Sequence, residues 1–383
     1  MTTLMNKAGQ VGGRDEPRGV VLTLIGPEAG NRHNHESVTR TEIARRLADL
    51  MGYVFAGEFD PQRGYEGHRY FVPAQTLVGC EAAHELGIGG EDDLFGAVVP
   101  HAFMTVKTIT HPLVEPGAHA PGGWCHSFCD EVRSAVLDGF AAFDRDNARR
   151  ATGRMLEHGP VRVKRATGVG GNGQSVVSEL RELDRVLGEI DDMEIETLGV
   201  VLEENLTDVV THSVGQVRVD GVTASYCGTQ RLTPNNGGVH VYGGSTLLVV
   251  RGDFDELLAL DLPMETRRAI DQARIYDAAA IAHFRGMFAS RRNYDVAQGK
   301  NTDGHWRCGV LEQSWRLGGA SGAEIGALEA FRAAPDLRVV RATSTEIFGE
   351  CMPPAEAVIY FRDVDERVGM LTKYTVVERH AGA

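Results

Sequence analysis

Short apolar runs alternate with amphipathic stretches along most of the chain. Residues 19–26 (Gly-Val-Val-Leu-Thr-Leu-Ile-Gly) form an apolar run that stops at Gly26-Pro27, which predicts a buried strand. Ile43, Leu47 and Leu50 recur at helical spacing over 41–51, and 53–55 and 70–72 read as further strands. The first hundred residues therefore predict a small α/β lobe. A turn-rich stretch through Pro121-Gly-Gly123 follows, and helical periodicity returns at 124–137 and 144–157, with Asp144 placed to cap. Residues 161–177 predict a strand, a glycine loop and a second strand. A helix from Glu179 comes next, with Ser178 as its expected cap.

Downstream, 198–206 is an apolar strand ending near Glu203-Glu204, and 213–219 with 222–226 predicts a hairpin across Asp220-Gly221. Further strands are expected at 246–250, 291–297, 309–311, 358–361 and 371–376, with helices at 253–260, 264–284 and from Ser321. The Asn- and Gly-rich residues 233–244 read as a connection or a substrate-covering segment. Mixing of the two periods makes the chain α/β in the broad, α+β sense.

Composition narrows the partners. The chain has 383 residues, 42% of them hydrophobic, enough for two or three lobes with proper cores. Its 39 basic and 53 acidic residues leave a net charge of −14, which argues against nucleic acid or an anionic membrane as the main partner. No apolar run is long enough to span a bilayer, and residues 1–18 lack a signal-peptide core. They read as a disordered lead-in, and a cytoplasmic location is the expectation. The six cysteines are scattered. Cys125 and Cys129 lie one helical turn apart around His126, but no second ligand pair matches them, so they read as reduced packing residues. His33 and His35, in a polar loop, read as solvated or hydrogen-bonding residues rather than metal ligands.

Two stretches carry candidate chemistry. Lys164 precedes the loop Gly168-Val-Gly-Gly-Asn-Gly173, which satisfies G-x-G-x-x-G and nearly satisfies the Walker pattern, with Gln174-Ser175 in place of Lys-Ser. Rossmann and Walker loops lead from a strand into a helix. This loop leads into Gln174-Ser-Val-Val177, which has strand character. Two readings stay open, a flexible lid over phosphates and an exposed glycine turn. In the second stretch, Asp295 lies on one strand and Glu312 at the end of the next, where antiparallel pairing would bring the carboxylates together. Like charges so placed call for a cation, and hard oxygens suit Mg2+. Two ordinary solvated carboxylates are the alternative.

The order of these features resembles the ATP-grasp superfamily, especially its carboxylate–amine ligases, over residues 107–330: a lysine-bearing strand, a glycine loop, a strand ending in Glu-Glu, a strand Asp, and Glu312-x-x-x-Arg316-x-Gly-Gly. The chain as a whole is also similar to an uncharacterised group of bacterial proteins related to that superfamily. The resemblance implies an ATP-grasp fold, two α+β lobes clasping ATP, preceded by a small α/β pre-grasp lobe. Its divisions would be 19–106 for the pre-grasp lobe, 107–204 for the lobe with the lid, and 205–383 for the lobe with the metal site.

By the same resemblance ATP and Mg2+ are the cofactors. Lys107 and Lys164 would contact phosphates, with Gly168, Gly170, Gly171 and Gly173 in the lid. Glu203, Glu204 and Leu206 would form the adenine hinge. The acidic ribose contact is replaced near its slot by His212. Asp295, Glu312 and Ser314 would hold the metal, Ser314 standing where the family has asparagine, and Arg316 would face transferred phosphate or a substrate carboxylate; Arg231, read from its place after the Tyr226 strand, is a further candidate to reach the ligand. The implied reaction joins a carboxylate to an amine through an acyl phosphate. Small molecules or short peptides are the expected substrates, and a homodimer is the family-level expectation. A catalytically inactive or regulatory ATP-binding protein and an ATP-grasp kinase are the alternatives. Beyond Glu312, Ser321 and Glu324 are spaced as a capping box.

Overall fold

The computed structural model describes residues 18–25, 34–168 and 173–379. Among them no helix is long and apolar enough to cross a membrane. The chain is mixed α/β with several sheets, as the alternating periods imply. It opens with parallel strands β1 (Gly19–Leu24), β2 (Val54–Glu58) and β3 (His68–Pro73), in the order β2-β1-β3. The crossover from β1 to β2 is α1 (His35–Met51), whose Ile43, Ala44, Leu47 and Ala48 are buried. This helix begins six residues before the expected start. Asn34 caps it by accepting from the Ser37 N–H, and that polar cap lies outside the apolar pattern. Strands β4 (Leu77–Val78) and β5 (Ala97–Val99) flank α2 (Cys80–Glu85).

Next comes an antiparallel sheet of β6 (Gly139–Ala142), β7 (Val161–Arg165), β8 (Gln174–Val177) and β9 (Val200–Glu204), ordered β6-β9-β7-β8. The expected helix over 124–137 is shorter, α3 (His126–Glu131) followed by a tight turn at 132–134. Asp144 caps α4 (Arg145–Met155) by accepting from Asn147 N–H. Helix α5 (Leu180–Gly188) is not capped by Ser178; the Ser178 N–H instead donates to the Glu182 carboxylate. After α5 comes α6 (Asp192–Leu198). Leu183 and Leu187 of α5 pack on Val161, Val163 and Val177, each worth about 1.5–3 kcal/mol of burial.

The largest sheet has eight antiparallel strands: β10 (Thr207–Val219), β11 (Val222–Pro234), β12 (His240–Arg251), β14 (Arg291–Lys300), β15 (Trp306–Ser314), β16 (Val339–Phe348), β17 (Val358–Asp365) and β18 (Gly369–Arg379). Their order is β15-β14-β10-β11-β12-β16-β18-β17. The short β13 (Phe288–Ala289) pairs with β5. Residues 233–244 are not a loose connection. β11 and β12 stay paired out to Pro234 and His240, and only 235–239 turn, with the Asn235 carboxamide oxygen accepting from Gly237 and Val239 N–H.

Helices cover both faces of this sheet. On one, α8 (Met264–His283) buries Ile270, Ala273 and Tyr276 against Val214, Tyr294 and Val296; α7 (Phe254–Leu258) lies beside it. On the other, α9 (Ser321–Ala333) and α1 pack on Tyr226, Leu247, Val249 and Ala342. Glycines let α9 approach closely. A Cβ at Gly322 would stand 2.6 Å from Thr375 Oγ1, and one at Gly326 2.7 Å from Val377 Cγ2.

Candidate functional site

Strand alternation assembles the acidic part of the site. In the β14–β15 pair Asp295 stands directly opposite Glu312, and Asn293 opposite Ser314, with the register shifting just beyond Asp295. Ser213 of β10 is the other neighbour of Asp295. All five belong to the sheet face that carries α9. Burial pushes the Asp295 carboxyl up, and the Glu312 charge adds to the effect, to about 7; Gln230, Lys107 and Arg291 act the other way. Gln230 Nε2 donates to Asp295 Oδ1 at 2.7 Å. Two adjacent carboxylates without a bound proton call for a cation, so this donor set fits a hard divalent metal. Among the described residues no group of three or more His, Cys, Asp and Glu side chains gathers to hold a metal. Further ligands would have to be neutral oxygens or phosphate.

The lysines come from the neighbouring segments. Lys107 lies in a short 3-10 turn at 107–110 and is only 5% exposed. Its Nζ reaches Glu312 Oε2 at 2.8 Å and donates to the Gly168 carbonyl at 2.6 Å. Lys164 lies on β7, with Nζ 2.5 Å from Glu203 Oε1, while His111 Nε2 lies 3.0 Å from Glu203 Oε2. All three side chains are buried. Burial works to raise the Glu203 carboxyl, but Lys164 and His111 outweigh it and hold it down at about 2. Glu204 accepts from Arg307 Nε at 2.8 Å and from the Asp138 N–H. Both glutamates at the expected hinge thus have protein partners. Leu206 is buried with Leu137 and Ala297. Gly173, at φ 70°, closes the β7–β8 hairpin by accepting from Arg165 N–H; Gly170 and Gly171 lie outside the described residues, as does His33.

Arg316 follows β15. Its guanidinium donates to the Leu317 carbonyl, and no carboxylate pairs with it among the described residues. Burial and the nearby Arg291 pull its pKa below the ordinary guanidinium value, with Glu312, Glu36 and Asp295 opposing. Arg291, 1% exposed, makes a two-pronged pair with the fully buried Glu324 at 2.7 and 2.8 Å and donates to the carbonyls of Ser314 and Arg316. It fixes the backbone that carries Ser314 and Arg316. Ser321 and Glu324 form no capping box. Glu324 is drawn inward by Arg291 and Tyr226, and Ser321 Oγ accepts from the Gly318 N–H.

Arg231 and His212 stand apart from this cluster. Alternation along β10 and β11 turns both away from the face of Asp295, Ser213 and Gln230. Arg231 donates to Thr345 Oγ1 at 2.6 Å and to the Ser344 carbonyl. His212 is buried beside Gln298, and burial lowers its pKa. Sequence reasoning passed over Gln230, Asn293 and His111. Asn293 shares alternation with Asp295, which it did single out; Gln230, in a strand without apolar alternation, and His111, in an irregular segment, have no such signal.

Among curated proteins no sequence matches this chain. Two solved structures are similar in outline. One is D-alanyl-alanine synthetase A from Vibrio cholerae O1 biovar eltor, at 11% identity over 78% of this chain and 89% of that one, with a TM-score of 0.47. The other is phosphoribosylamine–glycine ligase from Thermotoga maritima, at 13% identity over 93% and 91%, with a TM-score of 0.44. Residues 24–375 match the model of a family described as "Protein of unknown function (DUF3182)". With a match of that length, the chain belongs to the DUF3182 family.

Proposed function

We propose that the protein is an ATP- and Mg2+-dependent ligase of the ATP-grasp kind, joining a carboxylate to an amine. The observation that carries the reading is the direct opposition of Asp295 and Glu312, with Lys107 on Glu312 and Arg316, which pairs with no carboxylate among the described residues, close by. Asp295 and Glu312 would hold Mg2+, which when bound offsets the negative charge of the phosphates. Lys107 and Arg316 supply fixed positive charge where the phosphoryl oxygens would gather. Glu203, itself held by His111, keeps the Lys164 ammonium in place. A substrate carboxylate oxygen would attack the terminal phosphorus with ADP leaving; the amine would then attack the acyl carbon, lose a proton and release phosphate. Small molecules or short peptides are the proposed substrates.

Ser314, in the asparagine slot, favours a second reading, an ATP-binding protein without turnover. ADP release separates the two. A ligase releases ADP only with a suitable acid and completes turnover only with an amine as well. If Lys164→Ala and Glu312→Ala both leave ATP binding in Mg2+ unchanged, the site is misassigned.

A further inference from the structure

Asn293 stands directly across from Ser314 and two residues before Asp295 on the same strand face. It is 5% exposed. Its side-chain orientation is fixed by chemistry rather than by fit. The Tyr226 hydroxyl donates to Glu324 Oε1 at 2.6 Å, and both oxygens of Glu324 also accept from Arg291. The Tyr226 oxygen must therefore accept from Asn293, at 3.1 Å, and the group that faces it is the amide NH2. The same nitrogen donates to Ser213 Oγ at 2.6 Å. Gly215 makes room for this arrangement, since a Cβ there would stand 2.4 Å from the Tyr226 hydroxyl.

Both contacts of the amide nitrogen lie on β10 and β11, and β15, which carries Ser314, borders β14 on its other side. Among the described residues Oδ1 accepts no hydrogen bond, and it is not one of the sealed, unsatisfied polar atoms. This neutral oxygen belongs to the same strand face as the two carboxylates, two residues along β14 from Asp295. Ser314 ends one bond closer to its own backbone than an asparagine amide oxygen would. Resting on the ligase reading above, we propose that Asn293 Oδ1 is the neutral metal ligand of this site. The amide has moved across the strand pair, from the Ser314 position to the residue opposite it.

The test is Mn2+ binding in the presence of ADP, followed by electron paramagnetic resonance, which needs no substrate and no turnover. Asn293→Ala should weaken Mn2+ binding at least tenfold, and adding Ser314→Asn to that variant should restore most of the affinity. Asn293→Ser keeps a polar side chain but ends one bond closer to the backbone than the amide oxygen and falls short of the metal. It serves if the alanine variant does not fold, with the same loss expected. Wild-type affinity in either variant, or no rescue by Ser314→Asn, overturns the proposal while leaving the ligase reading intact. Absence of Mn2+ and ADP binding in the wild-type chain overturns the ligase reading and this proposal with it.

Discussion

The Lys107 ammonium lies 2.8 Å from Glu312 Oε2 and 2.6 Å from the Gly168 carbonyl, so one buried cation joins β15 to the start of the glycine segment. Phosphate would compete for the same charge. Lys107→Met should therefore lower ADP affinity at least tenfold, about 1.4 kcal/mol, in a calorimetric titration. Unchanged affinity would place the phosphates elsewhere.

Asp295 links the site to pH. Burial and Glu312 hold its carboxyl up at about 7, whereas an unfolded chain releases that proton near pH ~3.9. Between those values the folded state binds more protons. The stability this group contributes is complete below the lower value and lost as pH rises through the upper one. In metal-free protein, Asp295→Asn should raise the melting temperature by a margin that grows from about pH 5 to about pH 8. A margin independent of pH would contradict the raised value.

Glu203 has the opposite sense. Held down at about 2, it contributes stability that is present above the unfolded carboxyl value of about 4.3 and lost as pH falls toward 2. Glu203→Ala leaves the Lys164 ammonium buried without a carboxylate and should cost about 3–5 kcal/mol in urea unfolding near neutral pH. Replacing Lys164 with Met and Glu203 with Leu together should recover much of that loss, because no charge then stays buried alone.

Two glycines should respond in opposite directions. Gly322→Ala would force a methyl against Thr375 Oγ1 and Tyr360 Cε2, 2.6 and 2.8 Å from its ideal place, at a cost of about 1–3 kcal/mol. Gly153, inside α4, has nothing within 4 Å of its ideal Cβ, and Gly153→Ala should stabilise by about 0.5–1 kcal/mol. Chemical denaturation of the two variants side by side checks both signs.

The pairing of Asp295 with Glu312 was legible because strand period and a polar turn together fix which residues face each other. The long β11–β12 ribbon was not legible beyond Tyr226. Thr229, Gln230, Arg231 and Thr233 give no apolar alternation, and the pairing there is held by backbone bonds. Ser321 and Glu324 have the spacing of a cap, yet Ala320 before them is already helical and Glu324 is claimed by Arg291 from a distant strand. The partners of Lys107 and His111 were hidden for the same reason: Glu312 and Glu203 are far away in sequence, and nothing local announces them.

Between Glu204, the last residue of β9, and Thr207, the first of β10, stand only Asn205 and Leu206. Arg162 on β7 holds the Asn205 carboxamide at 2.7 Å, while Leu206 is packed against Ala297 of β14. One covalent passage between the two large sheets is thus a two-residue axle with one end fastened to each; a second runs through Leu137 and Asp138, between Val136, bridged to Val310 of β15, and β6. Turning of one sheet against the other would be shared between these two short links. If ATP binds as proposed, a nucleobase seated against the backbone of Asn205 and Leu206 would set the angle between the two sheets, so that angle would report whether the site is filled.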